Sequence, residues 1–91
     1  MFDVNKIEYY NNRYICFTDM ENRNIANYLV SFFHSVVMRI DTKIEIKNRS
    51  SLLIINSPDK EKTIKAAEII NDILLIPEMK KIINDYQKIA N

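Results

Sequence analysis

The stretch Lys43-Ile44-Glu45-Ile46-Lys47-Asn48-Arg49-Ser50-Ser51-Leu52-Leu53-Ile54-Ile55, followed by Asn56-Ser57-Pro58-Asp59, decides the fold. Residues 43–47 alternate charged and apolar side chains, the period of a half-buried strand. Leu52 to Ile55 is an unbroken apolar run, as in a strand covered more fully. Four polar residues, Asn48 to Ser51, supply the turn between them. If all four form the loop, Ile46 pairs with Leu53 and Ile44 with Ile55 on one face. Leu52 and Ile54 then point the other way, beside Lys47 and Glu45. Ser57-Pro58 ends the hairpin and predicts a helix, with serine at the cap and proline at the first helical position.

Working outward, Ala66, Ala67, Ile70, Ile73 and Leu74 form the buried side of that helix, and Pro77 ends it, because helical geometry is disfavoured just before proline. A short third helix is predicted over Glu78 to Ile89, with Met79, Ile82, Ile83 and Tyr86 on one side. Upstream, Ile25, Leu29, Phe32, Phe33, Val36, Val37 and Ile40 recur at helical spacing and predict a helix ending near Arg39. Thr18 and Glu21 have the spacing of a capping box at its start. Before it, Lys6 to Tyr10 and Arg13 to Phe17 flank Asn11-Asn12. Asparagine tolerates the left-handed positions of a two-residue turn, so Tyr9 lies opposite Tyr14 and Ile7 opposite Cys16. The fold class is α+β: an antiparallel sheet of two hairpins with helices on one face, in one domain over 1–91, with 1–5 as a loose arm.

Not one of the 91 residues is glycine, where an average chain of this length has about six. The glycine-rich phosphate loop, the dinucleotide fingerprint, the nucleophile elbow and the calcium loop are therefore all missing. The formal charge is +1, so the chain as a whole is no polycation. Lys43 to Lys65 is nonetheless net +3, with six basic and three acidic residues, between flanks of net −1 each. A lone cysteine, Cys16, forms no internal disulfide and points to an intracellular setting. No apolar run reaches the ~20 residues of a membrane span.

No catalytic constellation is legible. His34 has Val30, Ser31, Val37 and Met38 as helical neighbours, which offer neither a proton partner nor a second metal ligand. Cys16 reads as a small core residue. Asp19 with Glu21, and Asp59 with Glu61, serve helix starts, where acidic side chains answer the macrodipole. No catalytic residue, metal ligand, cofactor or small-molecule substrate is expected.

Two surface features admit a binding role. Lys43, Lys47 and Arg49 form either a phosphate-contacting edge or a solvated strand face that guards against aggregation. Tyr9 and Tyr14 either stack bases or, the preferred reading, cover the sheet or meet a second protein. Tyr9, Tyr14, Leu52, Ile54, Met79, Ile83 and Tyr86 are the candidate interface. A homodimer or an obligate protein partner is expected to cover the sheet face or the third helix, with RNA a further candidate partner.

The order strand, helix, strand, strand, helix over Tyr14 to Leu75 resembles a KH domain, a fold of RNA-binding proteins. Ile44 to Tyr86, with Ser57-Pro58-Asp59 and Ile64-Lys65-Ala66-Ala67-Glu68-Ile69-Ile70, is similar to the end of the KH domains in small-subunit ribosome-assembly factors. Those domains clamp nucleotides with a Gly-x-x-Gly loop between two helices. Here that place falls near Ser31 to His34, which read as continuous helix. The resemblance thus implies a degenerate KH-like binding or scaffolding module in a ribonucleoprotein or RNA-modifying assembly, and carries over no binding residue. The chain also resembles, in length and in its two hairpin–helix halves, the small dimerising subunit of the tRNA threonylcarbamoyl-transfer (KEOPS) complex. It has Thr63-Ile64 where that family has a Leu-Arg pair. That resemblance implies a protein–protein subunit with no RNA contact.

Overall fold

The computed structural model describes residues 1–36, 41–81 and 85. Its elements are β1 (Glu8–Tyr10), β2 (Arg13–Asp19), α1 (Arg23–Val36), β3 (Glu45–Arg49), β4 (Leu52–Ser57) and α2 (Lys60–Leu75). Helical backbone returns at 77–81. The strands form one antiparallel sheet in the order β1-β2-β4-β3. This is the expected α+β architecture.

Both hairpins close on two-residue turns. Asn11 and Asn12 have φ of 53° and 62°, and Tyr9 pairs with Tyr14 as predicted. The second turn is shorter than the sequence suggests. Ser50 and Ser51 alone hold positive φ, 46° and 68°, and Arg49 pairs directly with Leu52. Ile46 therefore lies opposite Ile55, not Leu53. Two left-handed turn residues match the twist of the flanking strands better than a looser four-residue loop. The slip is two residues, so every side chain keeps its expected face.

Cys16, Leu53, Ile55 and Ile46 point from the sheet into a core completed by Leu29 and Phe33 of α1 and Ala66, Ala67, Ile70 and Ile73 of α2. On α1, Val36 is 46% exposed rather than part of the buried stripe. Val37, Ile40 and the expected end near Arg39 lie outside the described residues.

Both helix starts differ from the sequence reading. Asn22, not Thr18, caps α1: its Oδ1 accepts from the amides of Asn24 and Ile25 at 3.0 and 3.1 Å. Thr18 belongs to β2, where pairing with Leu53 claims its backbone. Asp59, not Ser57, caps α2, accepting from Glu61 and Lys62. Ser57 stays in β4, fully buried, with its Oγ 2.8 Å from Thr63 Oγ1. Thr63 in turn donates to the carbonyl of Tyr14 at 3.0 Å, fastening α2 to β2. Ile76, before Pro77, takes the extended geometry (φ −72°, ψ 122°) that ends α2.

The loose arm expected at 1–5 is instead tied down. Phe2 is buried in the core. Its amide donates to Asn71 Oδ1 at 2.8 Å, and Asn71 Nδ2 donates back to its carbonyl at 2.9 Å. Thr18 Oγ1 donates to the carbonyl of Met1.

Leu29→Ala and Phe33→Ala should each cost about 2–5 kcal/mol in a denaturant melt, since both side chains are fully buried. Asn27→Ala, at an exposed site whose side-chain oxygen accepts from Asn48, should cost under about 1 kcal/mol. Asn22→Ala should cost about 0.5–2 kcal/mol as the loss of a cap.

Candidate interaction surface

The helices and the N-terminal segment pack on one face of the sheet, and among the described residues nothing covers the other. Strand alternation assigns its residues. Opposite in direction to Cys16, Leu53, Ile55 and Ile46 stand Ile15 and Phe17 of β2, Leu52 and Ile54 of β4, and Glu45, Lys47 and Arg49 of β3. The register aligns them in rows: Ile15, Asn56 and Glu45; Phe17, Ile54 and Lys47; Asp19, Leu52 and Arg49. Phe17 is 44% exposed, and Ile15, Leu52 and Ile54 are half-buried. An apolar centre thus lies between polar rows and a basic outer strand.

Arg13 closes one end of this face. It follows the first turn on β2 and shares the direction of Ile15 and Phe17, and its long side chain reaches across β4. Its Nε donates to Asn56 Oδ1 and its Nη2 to the carbonyl of Lys43 at 2.7 Å. Asn56 is only 8% exposed, so the guanidinium satisfies an amide that would otherwise be buried at a cost. One side chain joins β2, β4 and the entry to β3.

The basic triad is only partly assembled. Lys47 and Arg49 share the open face of β3, but Lys47 Nζ lies 3.5 Å from Glu45 Oε2. Lys43 stands before the strand, in a turn where its amide donates to Asp41 Oδ1 at 2.9 Å. The expected interface is divided too. Leu52 and Ile54 lie on the open face, whereas Tyr14 pairs with Ser57 and so faces the helix side with Tyr9. The two tyrosine rings contact each other at 4.8 Å between centroids, tilted by 50°. Met79 is half-buried against the core; Ile83 and Tyr86 lie outside the described residues.

Sequence reasoning missed Phe17, Ile15 and Arg13. The signal was present, because residues adjacent to an inward Cys16 must face outward in a strand. The strand expected over Arg13 to Phe17 already contains all three, but no local pattern reports the pairing of β2 with β4 that sets Ile15 and Phe17 beside Asn56 and Ile54.

Two further features lie on the helix side. A groove of ≈ 420 Å³ runs between α1 and α2, lined by Phe32, Val36, Ile44, Ala66, Ile69 and Ile73. At its rim Lys62 Nζ and Asp41 Oδ2 are 2.6 Å apart. That hydrogen bond from Lys62 holds the Asp41 carboxyl below its ordinary range, and the same bond holds Lys62 above its own. Cys16 is buried and reduced; burial first, and the charge of Asp3 second, push its thiol above the ordinary value. His34 is exposed near the end of α1. Among the described residues no helix is long and apolar enough to cross a membrane.

Comparison with protein-family models, with curated proteins and with solved structures yields no match to this chain.

Because thiolate is the reactive form and Cys16 is both occluded and shifted upward, alkylation of the native chain at neutral pH should be slow. Iodoacetamide labelling followed by mass spectrometry should show at least about a tenfold faster reaction in denaturant.

Proposed function

We propose that this chain is a non-catalytic, KH-like binding and scaffolding module of a ribonucleoprotein or RNA-modifying assembly, held in place by protein contact through the open sheet face. One observation carries the reading. Ile15, Phe17, Leu52 and Ile54 form a contiguous apolar centre on a face that no described element covers, with Arg13, Glu45, Lys47, Arg49 and Asp19 around it. An apolar centre inside a polar rim is the anatomy of a protein contact, and Phe17 and Arg13 are residue types enriched there.

The KH resemblance is supported by the order β2-α1-β3-β4-α2 and by the antiparallel sequence β2-β4-β3 in the sheet. Helix α1 is continuous through Ser31 to His34, where a nucleotide-clamping loop would interrupt it. That continuity favours protein contact over backbone clamping of RNA. The division into two hairpin–helix halves, β1-β2-α1 and β3-β4-α2, equally supports the second reading, a subunit of the KEOPS small-subunit kind with no RNA contact. Direct RNA contact through Lys43, Lys47 and Arg49 would be weak and electrostatic. Lys47 already has an acidic neighbour, and only two of the three share the strand face.

The test separates these surfaces. Tagged wild-type chain, Phe17→Lys and the triple change of Lys43, Lys47 and Arg49 to Ser are used to recover partners from native extract, with and without ribonuclease. Phe17→Lys should lose the co-purifying proteins, and the triple variant should keep them in both conditions. If ribonuclease or the triple change removes them and Phe17→Lys does not, the contact is to RNA and the open-face reading fails. In parallel, binding to a single-stranded RNA should have a salt slope no steeper than about −2, one unit of roughly −0.7 per neutralised phosphate for up to three contacts.

A further inference from the structure

Strand β3 ends the sheet, and among the described residues nothing pairs with its outer edge. It is five residues long, Glu45 to Arg49, and its register with β4 is unbroken by any bulge. It contains no proline. Such an edge is a template for another strand. Its direction of hydrogen bonding follows from the turn. A two-residue hairpin closes on a pair that exchanges both backbone bonds. Arg49, Lys47 and Glu45 therefore turn their amides and carbonyls toward β4, while Ile46 and Asn48 present theirs to the free edge.

The side chains at the centre of this edge, Glu45, Ile46 and Lys47, are self-complementary, whereas Arg49 falls level with the Lys43 position of the other copy, before its strand begins. If a second β3 runs antiparallel beside the first with the two-fold axis at Ile46, then Ile46 meets the same residue of the other copy. Glu45 of each copy stands opposite Lys47 of the other, on the open face, twice. The residues brought into hydrogen-bonded register are those with outward-pointing backbone groups, as an antiparallel ladder demands. The Ile46 pair continues the buried inner layer across the axis, and the two Glu–Lys pairs bridge the junction on the outer one. Cross-strand opposite charges are favourable and like charges unfavourable at this spacing.

We propose that two copies of this chain associate edge to edge through β3, forming one continuous eight-stranded sheet with Glu45–Lys47 pairs across the two-fold axis. The association uses the edge of the sheet and leaves the apolar face free, so it stands independently of the role assigned to that face above. Pairing would double the length of the face, joining two sets of Ile15, Phe17, Leu52 and Ile54.

The experiment uses charge exchange on the full chain, read by sedimentation velocity over about 1–300 μM, with circular dichroism confirming the fold of each variant. The wild type should dimerise. Glu45→Lys and Lys47→Glu should each raise the apparent dissociation constant at least about tenfold, since each replaces two opposite-charge pairs with two like-charge pairs. An equimolar mixture of the two should dimerise again, because one copy then carries only acidic and the other only basic residues at the pair. The double variant Glu45→Lys with Lys47→Glu should behave as the wild type. Phe17→Lys should leave the dimer intact. A wild type that stays monomeric throughout, single variants that remain dimeric, or folded single variants that fail to combine when mixed would each overturn the proposal. Loss of the dimer in Phe17→Lys would overturn it as well, by moving self-association to the open face.

Discussion

Everything in this molecule depends on the antiparallel ladder between β2 and β4. Each hairpin is local in sequence, and an isolated two-stranded hairpin is marginal in water. The six pairs from Tyr14–Ser57 to Asp19–Leu52 join the two hairpins into one sheet. They also fix what is buried. With Cys16 opposite Ile55 and Thr18 opposite Leu53, both strands turn their core residues toward the same side. A one-residue slip would put Phe17 in the core and Cys16 in solvent. The side-chain bonds reinforce this register from both faces. Thr63 holds the Tyr14 carbonyl from the helix side, and Arg13 holds Asn56 from the open side.

That ladder sorts the apolar side chains into two populations with different tasks. The inner set meets two helices and an N-terminal Phe2, and its burial supplies the main favourable term of folding. The outer set is too small to form a second core and too contiguous to be scattered surface residues. Its neighbours are polar groups that already have partners, Arg13 with Asn56 and Lys47 with Glu45. A rim whose charges are partly paired in this way attracts a highly charged ligand less strongly than free charges would. The proposal of a protein contact rather than a phosphate contact on the open face rests on this pairing.

Much of the fold is legible in the residues, and what is not has a physical cause in each case. Helix α1 follows from Leu29 and Phe33, and the end of α2 from Pro77, because apolar period and proline geometry act locally. The first turn follows from Asn11-Asn12 for the same reason. The second is legible in kind but not in length: Asn48 and Arg49 look like turn residues, yet both join the ladder, and serine takes the left-handed positions instead. Thr18 and Ser57 carry the chemistry of helix caps, but strand pairing claims their backbone, and Asn22 and Asp59 cap the helices. Tertiary pairing overrides a local signal in both places. The open face was hidden for a related reason: Phe17 lies in the expected strand, but its neighbour Ile54 is reached only through the long-range pairing of β2 with β4. Phe2 was illegible for a different reason. Its partner Asn71 is 69 residues away, and no local pattern reports a contact at that separation.

The absence of glycine links the turns to the mode of recognition. Among the described residues four positions need positive φ, and asparagine and serine fill them, each at a steric cost of order 1 kcal/mol that glycine would avoid. Every residue of the sheet also carries a Cβ, so no backbone lies bare for a ligand to approach closely along a loop. Contact with another molecule then falls to side chains on a face or to strand pairing at an edge, and among the described residues the open face and the β3 edge offer these. The face is apolar and contiguous; the edge is short, regular and, at Glu45 and Lys47, self-complementary in charge. Because the rows of the sheet run from Phe17 through Ile54 to Lys47, the residues at the edge abut those at the centre of the face. A second copy at the edge would thus extend the same surface that is proposed to meet a partner protein, and binding at either place would stabilise the strand order that builds the other.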